Sequence, residues 1–221
     1  KRNRTQRILS MLLTLCMVLT LMMTCLVVLP TEVLAATNVA YLDAAGVEKT
    51  ASTATEITAS TNELTNGWYV VNGAVTRTET ITVNGNVHLI LADGCNLTVT
   101  GDERKAGINV NDANRLTIYD QAGHTGVMNI TGDQGGAGIG SGYMESGGFI
   151  TINGGIINAT GGDGDYYNNS GAGIGDGGNS KGIKIIINGG EIIATGGGGD
   201  KGSWTGAGIG GDESDITITG G

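Results

Sequence analysis

From about residue 66 onward the chain alternates short apolar segments with glycine-rich corners. In Ile150-Thr151-Ile152 the alternation puts both isoleucines on one face and the threonine on the other, the period-two pattern of a strand. None of the repeated segments has the eleven or more residues at period 3.6 that an amphipathic helix needs. Strands are therefore the expected regular element.

These strands belong to a repeat. Gly136-Ala137-Gly138-Ile139-Gly140 returns as Gly171-Ala172-Gly173-Ile174-Gly175 and as Gly206-Ala207-Gly208-Ile209-Gly210, each 35 residues after the last. Ile150-Thr151-Ile152-Asn153-Gly154-Gly155 matches Ile185-Ile186-Ile187-Asn188-Gly189-Gly190 at the same spacing, and Ala159 falls on Ala194. A single repeat has no partner for its backbone groups and cannot bury its own apolar face, whereas stacked repeats supply both. Three strands and three corners per repeat describe a parallel β-helix with rungs about 4.8 Å apart. Ile139, Ile174 and Ile209 should then form an interior ladder. Degenerate copies run back through Leu116-Thr117-Ile118 and Ile81-Thr82-Val83, giving about four complete turns and an opening fifth at Ile216-Thr217-Ile218. Trp68-Tyr69-Val70-Val71 is the expected first buried strand. Residues 36–65, rich in Thr, Ala, Ser and Glu, form either a flexible leader or a cap over the first rung.

The first 35 residues have a different character. Lys1, Arg2, Arg4 and Arg7 precede a nearly uninterrupted apolar run from Ile8 to Leu29, then Pro30 and a Val33-Leu34-Ala35 cleavage motif. That order is a secretory signal peptide, expected to be cut after Ala35; the length of the apolar run makes an uncleaved membrane anchor the alternative. Loss of residues 1–35 removes four basic side chains and one acidic one. It leaves 8 of the 12 Lys and Arg and 20 of the 21 Asp and Glu, a formal charge of −12. Such a surface repels phosphate backbones and argues against nucleic-acid binding. Cys95 is then the single cysteine left, so no intramolecular disulfide is expected.

The GAGIG, ITINGG and ATGG blocks, with the stretch from Gly67-Trp68-Tyr69-Val70-Val71-Asn72-Gly73 through Asp93-Gly94 ahead of them, resemble secreted surface proteins of Gram-positive anaerobes. The resemblance covers roughly residues 40–221. It implies a right-handed β-helix of the pectate-lyase type and an adhesive, carbohydrate-binding role at the cell surface, often with further adhesive or wall-binding modules downstream. It implies no reaction.

Several constellations compete with this reading. Gly173-Ile174-Gly175-Asp176-Gly177-Gly178 satisfies the dinucleotide-loop pattern literally, but that loop needs a helix after it and here a strand pattern follows. Asn153 and Asn188 occupy equivalent corners and should stack as a ladder bonding to neighbouring backbone. Asp165 aligns with Asp200 one rung on. Such a pair offers a hard cation such as calcium its oxygen ligands, the alternative being solvated loop acids. Tyr166, Tyr167 and Trp204 gather in the same inter-rung loops, and exposed aromatics on a rigid scaffold suit sugar-ring stacking, whereas the bland alternative has them covering the loop base. Catalysis of the lyase or hydrolase kind needs clustered acids with a nearby Arg or Lys. No Arg follows residue 131, and His88 and His124 stand apart from any nucleophile motif.

The expectation is thus a secreted, all-β, right-handed parallel β-helix acting as a non-catalytic scaffold or adhesion module, with a polysaccharide or surface glycan as partner. It takes no cofactor unless calcium binds, and it meets the membrane through the signal segment alone. The alternative is the N-terminal part of a polysaccharide-active lyase or hydrolase whose catalytic residues lie elsewhere.

Overall fold

The computed structural model describes residues 34–166, 169–199 and 202–220, together with Asn3, Arg4, Gln6 and Met11. Most of the export segment, Tyr167 and Asp200 lie outside the described residues. The chain divides into two units, Lys1–Val33 and Leu34–Gly221, and all described strands belong to the second.

Three sheets wrap one core. The first runs through β1 (Ala35–Leu42), β2 (Glu48–Glu56), β4 (Gly67–Val71), β7 (Asn86–Leu91), β10 (Arg115–Tyr119), β13 (Phe149–Ile152), β16 (Lys184–Ile187) and β19 (Asp215–Ile218). The second holds β5 (Ala74–Arg77), β8 (Asn96–Thr100), β11 (Val127–Thr131), β14 (Ile156–Thr160) and β17 (Glu191–Thr195). The third stacks β3 (Glu63–Leu64), β6 (Ile81–Val83), β9 (Ile108–Asn109), β12 (Ile139–Gly140), β15 (Ile174–Gly175) and β18 (Ile209–Gly210). From β4 onward the chain visits the three sheets in rotation, and every pairing but that of β1 with β2 is parallel. This is a parallel β-solenoid.

The four turns expected from the repeats are present, from β6-β7-β8 to β15-β16-β17, and β3-β4-β5 adds one rung ahead of them. The 35-residue spacing becomes strand register: Ile139 pairs with Ile174 and Ile174 with Ile209, Ile150 with Ile185, and Ala159 with Ala194. Ile139 and Ile174 are fully buried and Ile209 packs on the same core. Thr151 is half-buried on the outer face and Thr217 is exposed. Ala207 is exposed where its counterparts Ala137 and Ala172 are buried, because it lies on the last rung.

Glycine is required where turns touch. A Cβ on Gly140, at φ 144°, would sit 1.8 Å from the Gly175 carbonyl oxygen, a separation no side chain can occupy.

Residues 35–56 form an antiparallel hairpin whose β2 pairs with β4 at the edge of the first sheet. The hairpin covers the outer face of that sheet. Ala51 and Ala54 bury against Val70, Ile90 and Tyr119, while Tyr41 packs on Trp68 and Tyr119 with centroids 4.6 and 4.8 Å apart. The Leu42 amide donates to the Asp120 carbonyl at 2.9 Å, three strands in from the edge at β2. His88, stacked on Trp68 and 3.0 Å from the Tyr119 hydroxyl, belongs to this cover, and burial lowers its pKa.

Arg77 points into the coil at a position that Val99 fills one rung later. Its guanidinium donates to the Ala59 carbonyl and to Asn62 and Glu79, so the chain before β3 supplies acceptors for a cation on the first rung.

Candidate functional site

The turns from β14 to β15 and from β17 to β18 carry long excursions between the second and third sheets, and these hold the aromatics singled out in the sequence. Their backbones are stapled to each other. Ser170 Oγ donates to the Gly198 carbonyl at 2.8 Å and accepts from the Gly164 amide at 2.9 Å. Asp163 Oδ1 accepts from the Gly198 amide at 2.7 Å. The Trp204 amide donates to Asn169 Oδ1, and its carbonyl accepts from the Ser170 amide. From there a side-chain chain runs down the rungs: Asn169 Nδ2 donates to Asn179 Oδ1 at 2.6 Å, and Asn179 Nδ2 to the Tyr143 hydroxyl at 2.8 Å. The indole of Trp204 therefore stands on a fixed backbone while 78% of its surface stays open to solvent.

Between this excursion and the corner before β19 lies a groove of about 660 Å³ lined by Asn169, Asp176, Asn179, Trp204, Asp212 and Ser214, among others. Asp176 is its unusual member. It follows β15 at the place where Ser141 follows β12 and Gly211 follows β18. Ser141 is satisfied, its Oγ accepting from the Gly177 amide at 3.0 Å. Asp176 is 3% exposed, and neither carboxylate oxygen has a hydrogen-bond partner among the described residues. Burial pushes the Asp176 carboxyl up to about 7; the nearby Ile183 amide opposes it, and the charge of Asp212 adds a smaller push than that amide takes away. The lysines of this corner are engaged elsewhere: Lys181 with Glu213 at 3.2 Å and Lys184 with Asp215 at 2.8 Å.

Of the residues expected to form a site, Trp204 lines this groove, and Tyr166 stands 67% exposed on the neighbouring excursion. Asp165 forms a backbone bridge there. Tyr167 and Asp200 lie outside the described residues, so the aromatic set is described through two of its three members and the acid pair through Asp165 alone. No group of three or more His, Cys, Asp or Glu is placed to hold a metal among the described residues.

Two other polar clusters are internally satisfied. At the corner before β13, Glu145 accepts from Lys105, from Asn109 at 2.9 Å, from Asn111 at 3.3 Å and from the Gly142 amide at 3.3 Å. Burial works to raise its carboxyl, but the hydrogen bonds from Lys105 and Asn109 outweigh that and hold it below the usual value. A carboxylate so engaged has little acceptor capacity left for a substrate. On the opposite edge, Asn188 Nδ2 donates to Asn153 Oδ1 at 2.8 Å and Thr219 Oγ1 to Asn188 Oδ1 at 2.9 Å. The corner ladder thus bonds side chain to side chain rather than to neighbouring backbone, as stacked amides do.

Sequence reasoning missed Asp176 because its Gly-rich neighbourhood reads as a corner. The signal was an acid standing in the register column of Ser141. No family model, curated protein or solved structure matches the chain, and its function is read from its own residues.

Proposed function

We propose that the coil is an extracellular, non-catalytic adhesion module that binds polysaccharide through the excursions on one side. The observation that carries this is Trp204, a largely exposed indole whose backbone is pinned by Asn169 and Ser170 at the rim of a groove lined by both polar and apolar residues. A planar apolar surface beside amide and hydroxyl groups matches a sugar ring, whose C–H face packs on the aromatic while its hydroxyls hydrogen-bond around it. Rigid presentation lowers the ordering cost of the contact. Tyr166 on the adjacent excursion gives a second contact along the coil, and repetition favours a polymer over a free monosaccharide. The N-terminal segment fits export to a place where such polymers are met.

The test is a screen of the purified chain against neutral and acidic polysaccharides, each with calcium and with a chelator. Binding that falls when Trp204→Ala is combined with Tyr166→Ala supports the reading. Unchanged binding removes this face, and no binding to any glycan leaves a spacer that holds other modules away from the cell.

A further inference from the structure

The groove beneath Trp204 has an electrostatic demand that a neutral sugar meets only in part. Asp176 lines the groove with both carboxylate oxygens buried and without a hydrogen-bond partner among the described residues, and burying a carboxylate without partners is costly. One turn earlier the equivalent Ser141 is neutral and hydrogen-bonded, so the stacking of turns does not itself require a charge here. Asp212 lines the same groove and makes it more negative, while Lys181 and Lys184 already pair with Glu213 and Asp215. Elsewhere in the coil an inward charge, Arg77, has its two terminal guanidinium nitrogens met by acceptors from its own chain, while its Nε has no partner among the described residues. Asp176 has no such answer among the described residues.

A bare metal ion fits this geometry poorly. The groove is about 660 Å³, within the range of about 300–1,000 Å³ typical of small-molecule sites, and an indole forms its rim. No third acidic, His or Cys ligand is placed to complete an ion's shell among the described residues. A positively charged organic group answers every feature. Its N–H donors satisfy Asp176, its charge offsets both acids, and its carbon skeleton lies against Trp204, where a cation near the ring gains further attraction.

We infer that the groove between Asp176 and Trp204 selects a glycan bearing free amino groups, a hexosamine polymer at least partly lacking N-acetylation, with the ammonium held by Asp176 and the ring on Trp204. This rests on the polysaccharide reading for the ligand's class and adds its charge.

The test compares soluble chitosan oligosaccharides, their fully N-acetylated counterparts and a neutral glucan by calorimetry on the purified chain, with Asp176→Asn and Asp176→Ser beside it. The serine variant copies the residue of the preceding turn, and a thermal melt of each variant checks folding. The inference predicts that the amino form binds more tightly than the acetylated one, and that both substitutions weaken it roughly thirty-fold or more while leaving any affinity for glucan unchanged. Equal affinity for amino and acetylated forms, unaffected at position 176, would overturn the inference but leave the polysaccharide reading intact. Chitosan binding that survives both substitutions would mark unspecific attraction to an acidic protein and would also overturn it. Calcium binding that depends on Asp176 without glycan binding would replace it with an ion site, and failure of every glycan would remove both readings.

Discussion

Gly175 lies so close to Gly210 in the next turn that a Cβ on Gly175 would stand 1.9 Å from the Gly210 carbonyl oxygen. The φ of Gly175 is 152°, so the backbone conformation adds to the obstruction. Gly175→Ala should therefore force adjacent turns apart and cost about 3 kcal/mol or more. Gly182→Ala is the control. It shares a positive φ, 88°, but has nothing within 4 Å, so strain alone should cost about 1–2 kcal/mol. Urea unfolding of the two variants checks the difference, and equal losses would deny the close contact between turns.

The interior ladder makes a second contrast. Ile174 is fully buried between Ile139 and Ile209, and Ile174→Ala should cost about 2–5 kcal/mol through lost burial and the cavity left behind. Ile193 projects from the outer face of β17 and is 58% exposed, so Ile193→Ala should stay within about 0.5 kcal/mol of the parent. Ile174→Asp would bury an unpaired charge between rungs, and a folded, heat-resistant variant would contradict the coil.

Met144 holds a left-handed backbone, φ 59°, at a corner where the next turn places Asn179 at φ 57°. Its side chain is largely exposed and gives little packing in return. Met144→Asn should stabilise the protein by about 0.5–1 kcal/mol, since Asn tolerates this region better than an unbranched apolar side chain. A lower melting temperature would show that Met144 packs in solution.

Asp176 makes stability depend on pH. Its carboxyl keeps a proton up to about pH 7 in the folded state and loses it near 3.8 when unfolded. Between those values the folded form binds more protons, so this group's contribution to stability is full at acid pH and fades as pH rises through about 7. The carboxyl is buried beside the groove rather than open to it, so the loss should be about 2–4 kcal/mol. Asp212 and the Lys181–Glu213 pair lie beside it, so the readout is the difference between the parent and Asp176→Asn across pH 4–8. The parent should lose stability relative to the variant as pH rises; a parent that gains would place Asp176 as a paired carboxylate.

The last turns were legible because identical blocks at one spacing leave a single register: Ile139, Ile174 and Ile209 can stack in only one way. The hairpin over the first sheet was not, because β2 is mostly Thr, Ala and Glu and buries little beyond Ala51 and Ala54. Its trace lay in the covered strands instead. Tyr69-Val70-Val71 and Leu89-Ile90-Leu91 are apolar on both faces, which a sheet with one wet face does not need. The site was half legible. Exposed aromatics in aligned excursions can be read from spacing, but Asp176 gains its meaning from burial and from the lack of a partner, which spacing does not report.

The most direct measurement is a glycan titration followed through Trp204 fluorescence in a Trp68→Phe background, which leaves Trp204 as the single indole of the chain. The account predicts a saturable change in Trp204 emission with an amino-bearing polysaccharide, tightening with chain length and lost with Asp176→Asn. Emission that stays constant through every glycan tested, in a protein whose melting curve shows it folded, would contradict it.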